Sequence, residues 1–373
     1  MKAEQGNRYL IQHIQEKIRN SPGQSISFYE YMNCCLYHEP FGYYQNDRVK
    51  IGRDGDFYTS SHVGTLMGEM LSKSFAAVFR TRPADAPLAI VEWGAGTGRL
   101  AGHLLTRLMN EAPDCYERLT YTLIDASAYH RARQSETLAG HADRLRFMDE
   151  AEWLAEAPVP GTIVLANELL DAFPVYRLVC REGRWYEVRV GWDEHDRRFA
   201  EKLVHLEPDD ELRAEALRQG IMLREGQYAE LNVDAPRWIR RIGANLPQGM
   251  IVVIDYGAAA EELYAAHRMR GTLLCYRRHQ AHDNPYIHIG EQDMTAHVNF
   301  TACRQAGKEA GFGEITLQTQ REFLVQAGIL DELREHASTD PFSPVSKRNR
   351  AIRQLLLSDS MSELFKVLTL RRT

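Results

Sequence analysis

The sequence predicts an α/β protein built on a Rossmann-like, mostly parallel and doubly wound sheet. Two observations predict this fold. From residue 88 onward, apolar runs of strand length alternate with segments whose apolar residues have helical spacing, a pattern typical of parallel sheets covered by helices. At residues 90–98, IVEWGAGTG joins the first of these runs to a helical segment through a turn that is rich in glycine.

The predicted elements follow one another along the chain. The opening residues indicate an amphipathic helix, and residues 1–85 together are expected to form an N-terminal extension of helices and loops. Residues 86–373 are expected to form the core domain. Its strand candidates are, in chain order, LAIVEWG, LTYTLIDAS, LRFMDE, TIVLANELL, GMIVVIDYG, GTLLCYR and, after a helix near residues 295–311, EITLQTQ as the last strand.

One stretch between the fourth and fifth core strands departs from the alternation of strands and helices. VYRLVCREGRWYEVRVGW alternates apolar and polar residues on both sides of REGR, which predicts an antiparallel hairpin. Helical, charged sequence follows to about residue 245. Residues 175–248 are therefore expected to be an inserted α+β subdomain. It either covers the functional site or forms a surface arm without contact to a ligand, and the sequence leaves both open.

Composition excludes several classes of protein. The net charge is −6 without a long basic tract, and KRNR at 347–350 is interpreted as solvated surface, so no nucleic-acid partner is expected. No apolar run approaches the ~20 residues of a membrane helix, so no membrane insertion is expected. Six cysteines without a C-x-x-C pair suit a reducing compartment, and the start lacks a signal core; the expected location is the cytoplasm.

The spacing of the glycines indicates which ligand the turn holds. A dinucleotide fingerprint reads G-x-G-x-x-G and would need glycine at position 99, where the chain has Arg99. The sequence instead reads E-x-G-x-G-x-G, a pattern similar to that of class I S-adenosylmethionine (SAM) methyltransferases. Its residues, expected to bind the cofactor, are Glu92, Gly94, Gly96 and Gly98.

Polar residues follow two further strands of the predicted sheet. Asp125 ends YTLID, where the ribose hydroxyls of a nucleoside would need an acceptor. The alternative is a helix N-cap, which Ser127 could supply equally well. Asp149 and Glu150 follow the third strand, and a contact of these acids with the adenine amino group is a weaker inference.

The fourth strand ends in ANELLDAFPV. Asn167, Glu168 and Asp171 are therefore expected at the carboxyl edge of the sheet, where open α/β folds bind ligands. Asn167 is expected to bind the cofactor, whereas Glu168 and Asp171 are the candidate catalytic residues. The alternative is that Asn167 caps a short helical turn over ELLDAF that Pro174 ends.

Five motifs occur in a fixed order: EWGAGTGRL, LIDAS, NELLDAFPV, VVIDYG and GTLLCYRRHQ…GEQDMTAHVNFT. Together with LYHEPFGYY and GDFYTS they resemble the MidA-type SAM-dependent methyltransferases, over about residues 28–330. The resemblance implies the class I SAM methyltransferase fold, SAM as methyl donor with S-adenosylhomocysteine as product, and methylation of an arginine in a partner protein. It implies that the protein is a transferase.

The chain departs from the family pattern at a few positions. Ser61-His62 follows GDFYTS where the family has proline, and Asn299 stands where it has aspartate. Arginine methyltransferases more widely grip the guanidinium with two glutamates, and Glu168 resembles the first of them. Nine residues further on stands Arg177 instead of a second acid. Asp171 is the candidate substitute.

Other functions are weighed against this one. RRHQAHDNPYIHIGEQD carries His279, His282, Asp283 and His288, but H-E-x-x-H is absent and no metal is expected. G-x-S-x-G is absent as well, which disfavours a serine hydrolase. A SAM-binding assembly factor without turnover and a small-molecule methyltransferase stay open as alternatives. The acceptor, the degree of methylation and the oligomeric state stay open too.

Overall fold

The computed structural model describes residues 6–46, 65–335, 340, 343–358 and 362–372. The GDFYTS motif and Ser61-His62 lie outside these described residues. The chain divides into two compact units. The first unit comprises Met1–Phe57, Leu170–Ile239 and Gly257–Ala306, and the second comprises Tyr58–Leu169, Arg240–Tyr256 and Gly307–Thr373.

Helices and strands alternate through most of the described chain. The α-helices are α1 (Arg8–Asn20), α2 (Phe28–Tyr37), α3 (Leu66–Phe79), α4 (Arg99–Glu111), α5 (Pro113–Tyr116), α6 (Ala128–Thr137), α7 (Glu150–Ala155), α8 (Glu211–Arg218), α9 (Asp234–Asn245), α10 (Ala260–Leu263), α11 (Phe300–Glu309), α12 (Gln320–Gln326) and α13 (Pro344–Leu357). The strands are β1 (Ile26–Ser27), β2 (Leu88–Trp93), β3 (Leu119–Ile124), β4 (Leu145–Met148), β5 (Thr162–Asn167), β6 (Tyr176–Arg181), β7 (Arg184–Asp193), β8 (Arg198–His205), β9 (Tyr228–Leu231), β10 (Gly249–Ala258), β11 (Leu274–Arg277), β12 (Gln280–His282), β13 (Asp293–Thr295), β14 (Val298–Asn299), β15 (Glu314–Thr319) and β16 (Phe365–Arg372).

The second unit contains the main sheet, in the order β15-β16-β10-β5-β2-β3-β4. Neighbouring strands from β10 to β4 pair in parallel, and β16 runs antiparallel to both β10 and β15. Because parallel strands end at the same edge, the residues that follow β2, β3, β5 and β10 lie along one side of the sheet. This arrangement confirms the predicted fold class.

Apolar burial explains why the second unit adopts this fold. The α4 residues at helical spacing, Leu100, Leu104 and Leu108 among them, are at most 5% exposed and pack in one core with Ile90 of β2 and Ile163 of β5. The apolar face of α3 belongs to the same core. Burying each large aliphatic side chain stabilises the fold by roughly 1.5–3 kcal/mol, so this shared core holds α3 and α4 on the sheet.

The first unit is built on antiparallel strands. Its larger sheet has the order β1-β7-β6-β9, with β8 paired to β7. The predicted hairpin is confirmed as β6 and β7, joined by Glu182 and Gly183, both of which have positive φ values of 52° and 69°. Such values at both central residues are typical of tight two-residue hairpin turns. A smaller sheet, β12-β11-β13, completes the strand pairing of this unit.

Three expectations about single segments are wrong. GTLLCYR supplies β11 of the small antiparallel sheet and no strand of the main sheet. EITLQTQ, which forms β15, is not the last strand, because β16 follows it in the chain and pairs between β15 and β10. KRNR is not simply solvated surface, since Arg348 in α13 bonds to the carboxylates of Glu69 and Glu332.

Two further expectations concern the whole chain. Within the described part, no helix combines the length and the apolar character that crossing a bilayer requires. The sequence predicts an extension at 1–85 and a core domain at 86–373 that contains an insertion at 175–248. This division into domains stays a prediction.

Candidate active site

The glycine turn between β2 and α4 has a backbone that only glycine adopts easily. Gly94, Gly96 and Gly98 have φ values of 66°, 54° and 78°, all in the left-handed region. The Gly94 N–H donates to the carbonyl of Ile124 at 2.8 Å, and a Cβ added at Gly94 would lie 2.9 Å from Cδ1 of Leu169. The turn is thus held to the end of β3 and packed against the residues that follow β5.

Glu92 lies inside the sheet beside this turn. Its side chain is 2% exposed, and its Oε2 accepts a hydrogen bond from the Tyr121 hydroxyl at 2.7 Å. Burial raises the pKa of Glu92 to about 7, although the Tyr121 hydrogen bond lowers it and the charge of Asp125 raises it further. The carboxyl group of the E-x-G-x-G-x-G pattern therefore titrates near neutral pH.

Asp125 lies at the end of β3 with its carboxylate held in place. Oδ1 accepts the Ser127 N–H at 2.9 Å, and Oδ2 accepts Nε2 of Gln134 at 3.1 Å. His130 Nδ1 lies 3.5 Å from Oδ2. The N-cap of α6 is Ser127, whose hydroxyl accepts the His130 N–H. Because Ser127 supplies that cap, the Asp125 carboxylate keeps acceptor capacity for another group.

Gln134 was not among the residues predicted for the site. Its Nε2 donates to the carbonyl of Gly96 at 2.9 Å as well as to Asp125, and its side chain is 0% exposed. The sequence alone carries no signal for it, because the buried face of α6 is visible only in the folded chain. Gln134 and His130 are four residues apart on α6 and both buried, so two polar residues occupy the face of the helix that apolar residues usually take.

Asn167 and Glu168 follow the next strand of the sheet. Asn167 Nδ2 donates to Oε1 of Glu168 at 3.4 Å, and its Oδ1 is buried without a hydrogen-bond partner among the described residues. Glu168 has a φ of 51°, which is uncommon outside glycine and concentrates at functional positions. Residues 168–173 form a turn and no helix, so Asn167 does not cap one.

The backbone after β5 is anchored to the end of β10. The Glu168 N–H donates to the carbonyl of Ile254 at 2.8 Å. The Leu169 N–H donates to Oδ2 of Asp255, which is 0% exposed and accepts the Tyr256 N–H through Oδ1. Asp255 was missed as a site residue, although it is an acid at the end of an apolar strand, the same signal that predicted Asp125.

The two acids after β4 have partners in this unit. Asp149 forms a capping box with Glu152 at the start of α7. Glu150 accepts the indole N–H of Trp93 at 3.1 Å and pairs with Arg241 at 2.7 Å. Their contact with an adenine amino group stays a prediction.

Asp171 belongs to the first unit. It is 4% exposed, and its carbonyl accepts the Ala296 N–H at 3.0 Å. Burial raises the pKa of the Tyr44 phenol well above its ordinary value, and the charges of Asp293 and Asp171 raise it further. The Tyr44 hydroxyl donates to Asp293 Oδ1 at 2.8 Å. Two buried carboxylates therefore act on the same tyrosine.

Arg177 and Asn299 have structural partners in the first unit. Arg177 pairs with Glu201 at 2.7 Å, and its guanidinium lies 5.2 Å from the ring centroids of both Phe28 and Tyr228. Asn299 donates through Nδ2 to the carbonyl of Gln219 at 2.8 Å and accepts an N–H at the start of α11 through Oδ1. An aspartate at 299 could not make the first of these bonds, because a carboxylate has no N–H.

The histidine-rich segment does not form a metal-binding group in the described part of the chain. No three His, Cys, Asp or Glu side chains among these residues are placed to hold one ion. The rings of His282 and His288 lie 6.4 Å apart in edge-to-face geometry.

A glycine turn after the first strand of a sheet of this order, with acids after the neighbouring strands, defines a class I methyltransferase fold. A family model described as "Putative S-adenosyl-L-methionine-dependent methyltransferase" matches residues 70–316. The chain belongs to this family. It is therefore a SAM-dependent methyltransferase, which confirms the predicted enzyme class and cofactor.

Relatives and solved structures agree with this family. A COG1565 superfamily member from Burkholderia thailandensis, solved bound to S-adenosyl-homocysteine, is 34% identical with a TM-score of 0.85, and the match covers 98% of this chain and 92% of that one. The mitochondrial protein arginine methyltransferase NDUFAF7 of Homo sapiens is 27% identical over 86% of this chain and 73% of its own length. Its homolog in Drosophila melanogaster is 25% identical over 83% and 72%. The resemblance to the MidA-type family is confirmed.

The expected cytoplasmic location is wrong. It rested on free cysteines and on the absence of a signal core. The curated relatives from Homo sapiens, Mus musculus and Drosophila melanogaster are all mitochondrial proteins, which contradicts the expectation of a cytoplasmic protein.

Proposed function

We propose that this methyltransferase transfers the methyl group of SAM to an arginine side chain of a partner protein. The observation that carries the proposal is the conformation of Glu168. It places a carboxylate-bearing residue at the carboxyl edge of the sheet, in a left-handed backbone that hydrogen bonds to Ile254 and Asp255 hold. The NDUFAF7 relatives are protein arginine methyltransferases, which supports the same acceptor.

The residues present fit a SAM-type cofactor. The left-handed glycines carry no side chain that would keep a ligand away from the turn, and Asp125 retains acceptor capacity for ribose hydroxyls. The buried Oδ1 of Asn167 is an acceptor without a partner among the described residues. We assign cofactor binding to Glu92, Gly94, Gly96, Gly98, Asp125 and Asn167.

In this reaction the protein mainly has to align the acceptor nitrogen with the methyl group. SAM, when bound, supplies a methyl group on a sulfonium that a nucleophile displaces directly. An arginine guanidinium stays charged near neutral pH and is a poor nucleophile. Glu168 would accept hydrogen bonds from its N–H groups, which orients one nitrogen toward the methyl and draws positive charge to the far side.

Asp171 is proposed as an additional acid for the acceptor. It lies in the same unit as Asp293 and Tyr44, so carboxylates and an aromatic ring are available in one region. Carboxylates and aromatic faces are the groups that bind a planar guanidinium best. Arg177 cannot serve this role, because its guanidinium carries the same positive charge as the acceptor. Asn299 cannot serve it either, because it is neutral and its amide is already hydrogen-bonded.

A labelling experiment tests the function. The pure protein is incubated with methyl-labelled SAM and a cell lysate from its own organism, and labelled bands are digested and sequenced by mass spectrometry. We expect label on a protein arginine. Label only in the small-molecule fraction would indicate a small-molecule methyltransferase instead. Tight binding of S-adenosylhomocysteine without label in any fraction would indicate an assembly factor without turnover.

A further inference from the structure

Gln134 is the most fully buried polar side chain beside the glycine turn. Its amide nitrogen has two hydrogens, and each has its own acceptor. One is the carbonyl of Gly96 at 2.9 Å and the other is Oδ2 of Asp125 at 3.1 Å. One side chain thus joins the two parts of the cofactor site that come from different strands of the sheet.

The same helix constrains the turn a second time. A Cβ added at Gly98 would lie 3.3 Å from Cα of Gln134 and 3.2 Å from Cδ1 of Leu138. Helix α6 therefore approaches the turn as closely as the absence of a side chain allows. With its carbonyl bonded to Gln134, Gly96 is held in its left-handed conformation, with a φ of 54°.

Asp125 is fixed from both of its oxygens. Ser127 donates to Oδ1 and Gln134 to Oδ2, while His130 Nδ1 lies 3.5 Å from Oδ2. These groups set the plane of the carboxylate, so its remaining lone pairs point in a defined direction. Without Gln134, Oδ2 would keep only the longer approach of His130, and the carboxylate could rotate.

We propose that Gln134 is a positioning residue for the cofactor, which holds the glycine turn and the ribose-binding carboxylate of Asp125 at a fixed spacing before a nucleoside with a free diol binds. The inference rests on the proposed assignment of the cofactor to this turn. It adds a residue that orients others and does not itself need to touch the ligand.

Affinity for S-adenosylhomocysteine, measured by calorimetry, tests the proposal. Gln134→Met keeps the size of the side chain and removes both hydrogen bonds. We expect its affinity to fall about ten- to a hundredfold, as for the loss of a charge-assisted hydrogen bond. The matched control is Ser135→Ala, on the exposed side of α6, which should bind as the wild type does. Equal affinity of Gln134→Met and wild type would overturn the proposal.

Two further readouts separate positioning from a general loss of structure. In Gln134→Glu, two carboxylates face each other at neutral pH, and one proton shared between them at low pH restores a donor. Its affinity should therefore rise from pH 8 to pH 5.5 relative to Gln134→Met. Wild type should bind the 2′-deoxy analogue of S-adenosylhomocysteine more weakly than the parent compound. Gln134→Met should bind the analogue and the parent compound about equally.

The outcomes distinguish this inference from the proposed function. If wild type binds S-adenosylhomocysteine but Gln134→Glu shows the same pH profile as Gln134→Met, the positioning role is wrong and the cofactor site stands. If wild type itself shows no binding, the assignment of the cofactor to the turn is wrong. Melting temperatures without ligand show whether each variant is folded, and Gln134→Asn, with a shorter amide, replaces any variant that is not.

Discussion

At the scale of single residues, the buried carboxyl of Glu92 makes stability depend on pH. Burial raises its pKa from the ordinary 4.5 to about 7 in the folded protein. The folded state therefore binds more protons than the unfolded state between these values, and stability falls as pH rises through that window. The decrease is at most about 1.4 kcal/mol per pH unit.

We expect Glu92→Gln to remove this part of the pH dependence. In urea unfolding at pH 5, 6, 7 and 8, the free energy of unfolding of wild type should decline relative to that of the variant. The control is Glu261→Gln, at an exposed position on α10, which should follow wild type. A constant difference between wild type and Glu92→Gln across the series would contradict the expectation.

Gly96 meets two requirements of the turn, a left-handed backbone and free space for the cofactor. Valine there would have to adopt a φ of 54°, which costs about 1–3 kcal/mol, and its side chain would occupy space that the cofactor needs. We expect Gly96→Val to abolish binding of SAM in calorimetry. Gly140→Val is the control, because a Cβ at Gly140 meets nothing within 4 Å. Unchanged affinity in Gly96→Val would remove the turn from the cofactor site.

Glu168 and Asp171 are separable by single-turnover methylation of the identified acceptor. Glu168→Gln should keep near-normal SAM affinity yet lose about ten- to a hundredfold in rate, corresponding to a charged hydrogen bond of roughly 1.5–3 kcal/mol. Asp171→Asn should lose as much if it also holds the guanidinium, and less if it only supports its turn. Full activity of Glu168→Gln would exclude it from catalysis, and loss of SAM binding would reassign it to the cofactor.

At the scale of elements, an ion-pair network holds α13 to the core of the second unit. Arg348 bonds to Glu69 of α3 and to Glu332, and Glu332 also accepts from Lys73 and Arg107. Burial would raise the pKa of Glu332, but hydrogen bonds from Lys73 and Arg348 and the charge of Arg107 lower it to about 2. The ionised carboxylate of Glu332 therefore stabilises the fold fully above pH 4.5, and this stabilisation is lost as the pH falls toward 2.

We expect Arg348→Met to destabilise the protein by about 1.5–3 kcal/mol at pH 7, because two carboxylates lose a charged hydrogen bond. Arg353→Met, at an exposed position on the same helix, should change little. At pH 2 the difference between Arg348→Met and wild type should shrink, because about half of the Glu332 carboxylates are then protonated. Urea unfolding at both pH values checks this, and an equal effect of the two arginine variants would contradict it.

The elements that the sequence predicted correctly are those whose pattern is local. The apolar spacing of α4, the buried run of β2 and the REGR hairpin each carry their signal within eighteen consecutive residues or fewer. The position of β16 depends on strands that lie elsewhere in the chain. FKVLTLRR pairs between β15 and β10, and its local sequence does not determine these two partners. β11 was assigned to the wrong sheet for the same reason.

The candidate site divides in the same way. The glycine turn and Asp125 were predictable because a strand, a turn and a helix are consecutive and the acid ends an apolar strand. The hydrogen bonds that give Gln134 and Asp255 their roles were not predictable, because they join residues that lie 38 and 86 positions apart. Only the folded chain brings those residues together.

At the scale of the whole molecule, each unit is assembled from stretches that are distant in sequence. In the first unit, β1 pairs with β7, and Gly6 bridges to Ile289. Removing the opening residues would therefore expose a core that α1 and α2 share with strands far along the chain. A ligand that binds the folded chain and not the unfolded chain should also raise the stability of this fold.

Thermal unfolding with ligands tests the cofactor assignment and the metal alternative together. A ligand that binds only the folded state contributes about 2.7 kcal/mol at a hundredfold excess over its dissociation constant. We expect the melting temperature to rise with S-adenosylhomocysteine and to stay unchanged with zinc or a chelator. Gly96→Val is the control, because its melting temperature should not respond to the ligand. If a chelator lowered the melting temperature of wild type while S-adenosylhomocysteine left it unchanged, the histidine-rich segment would hold a metal that stabilises the fold, and the cofactor site assigned to the glycine turn would be wrong.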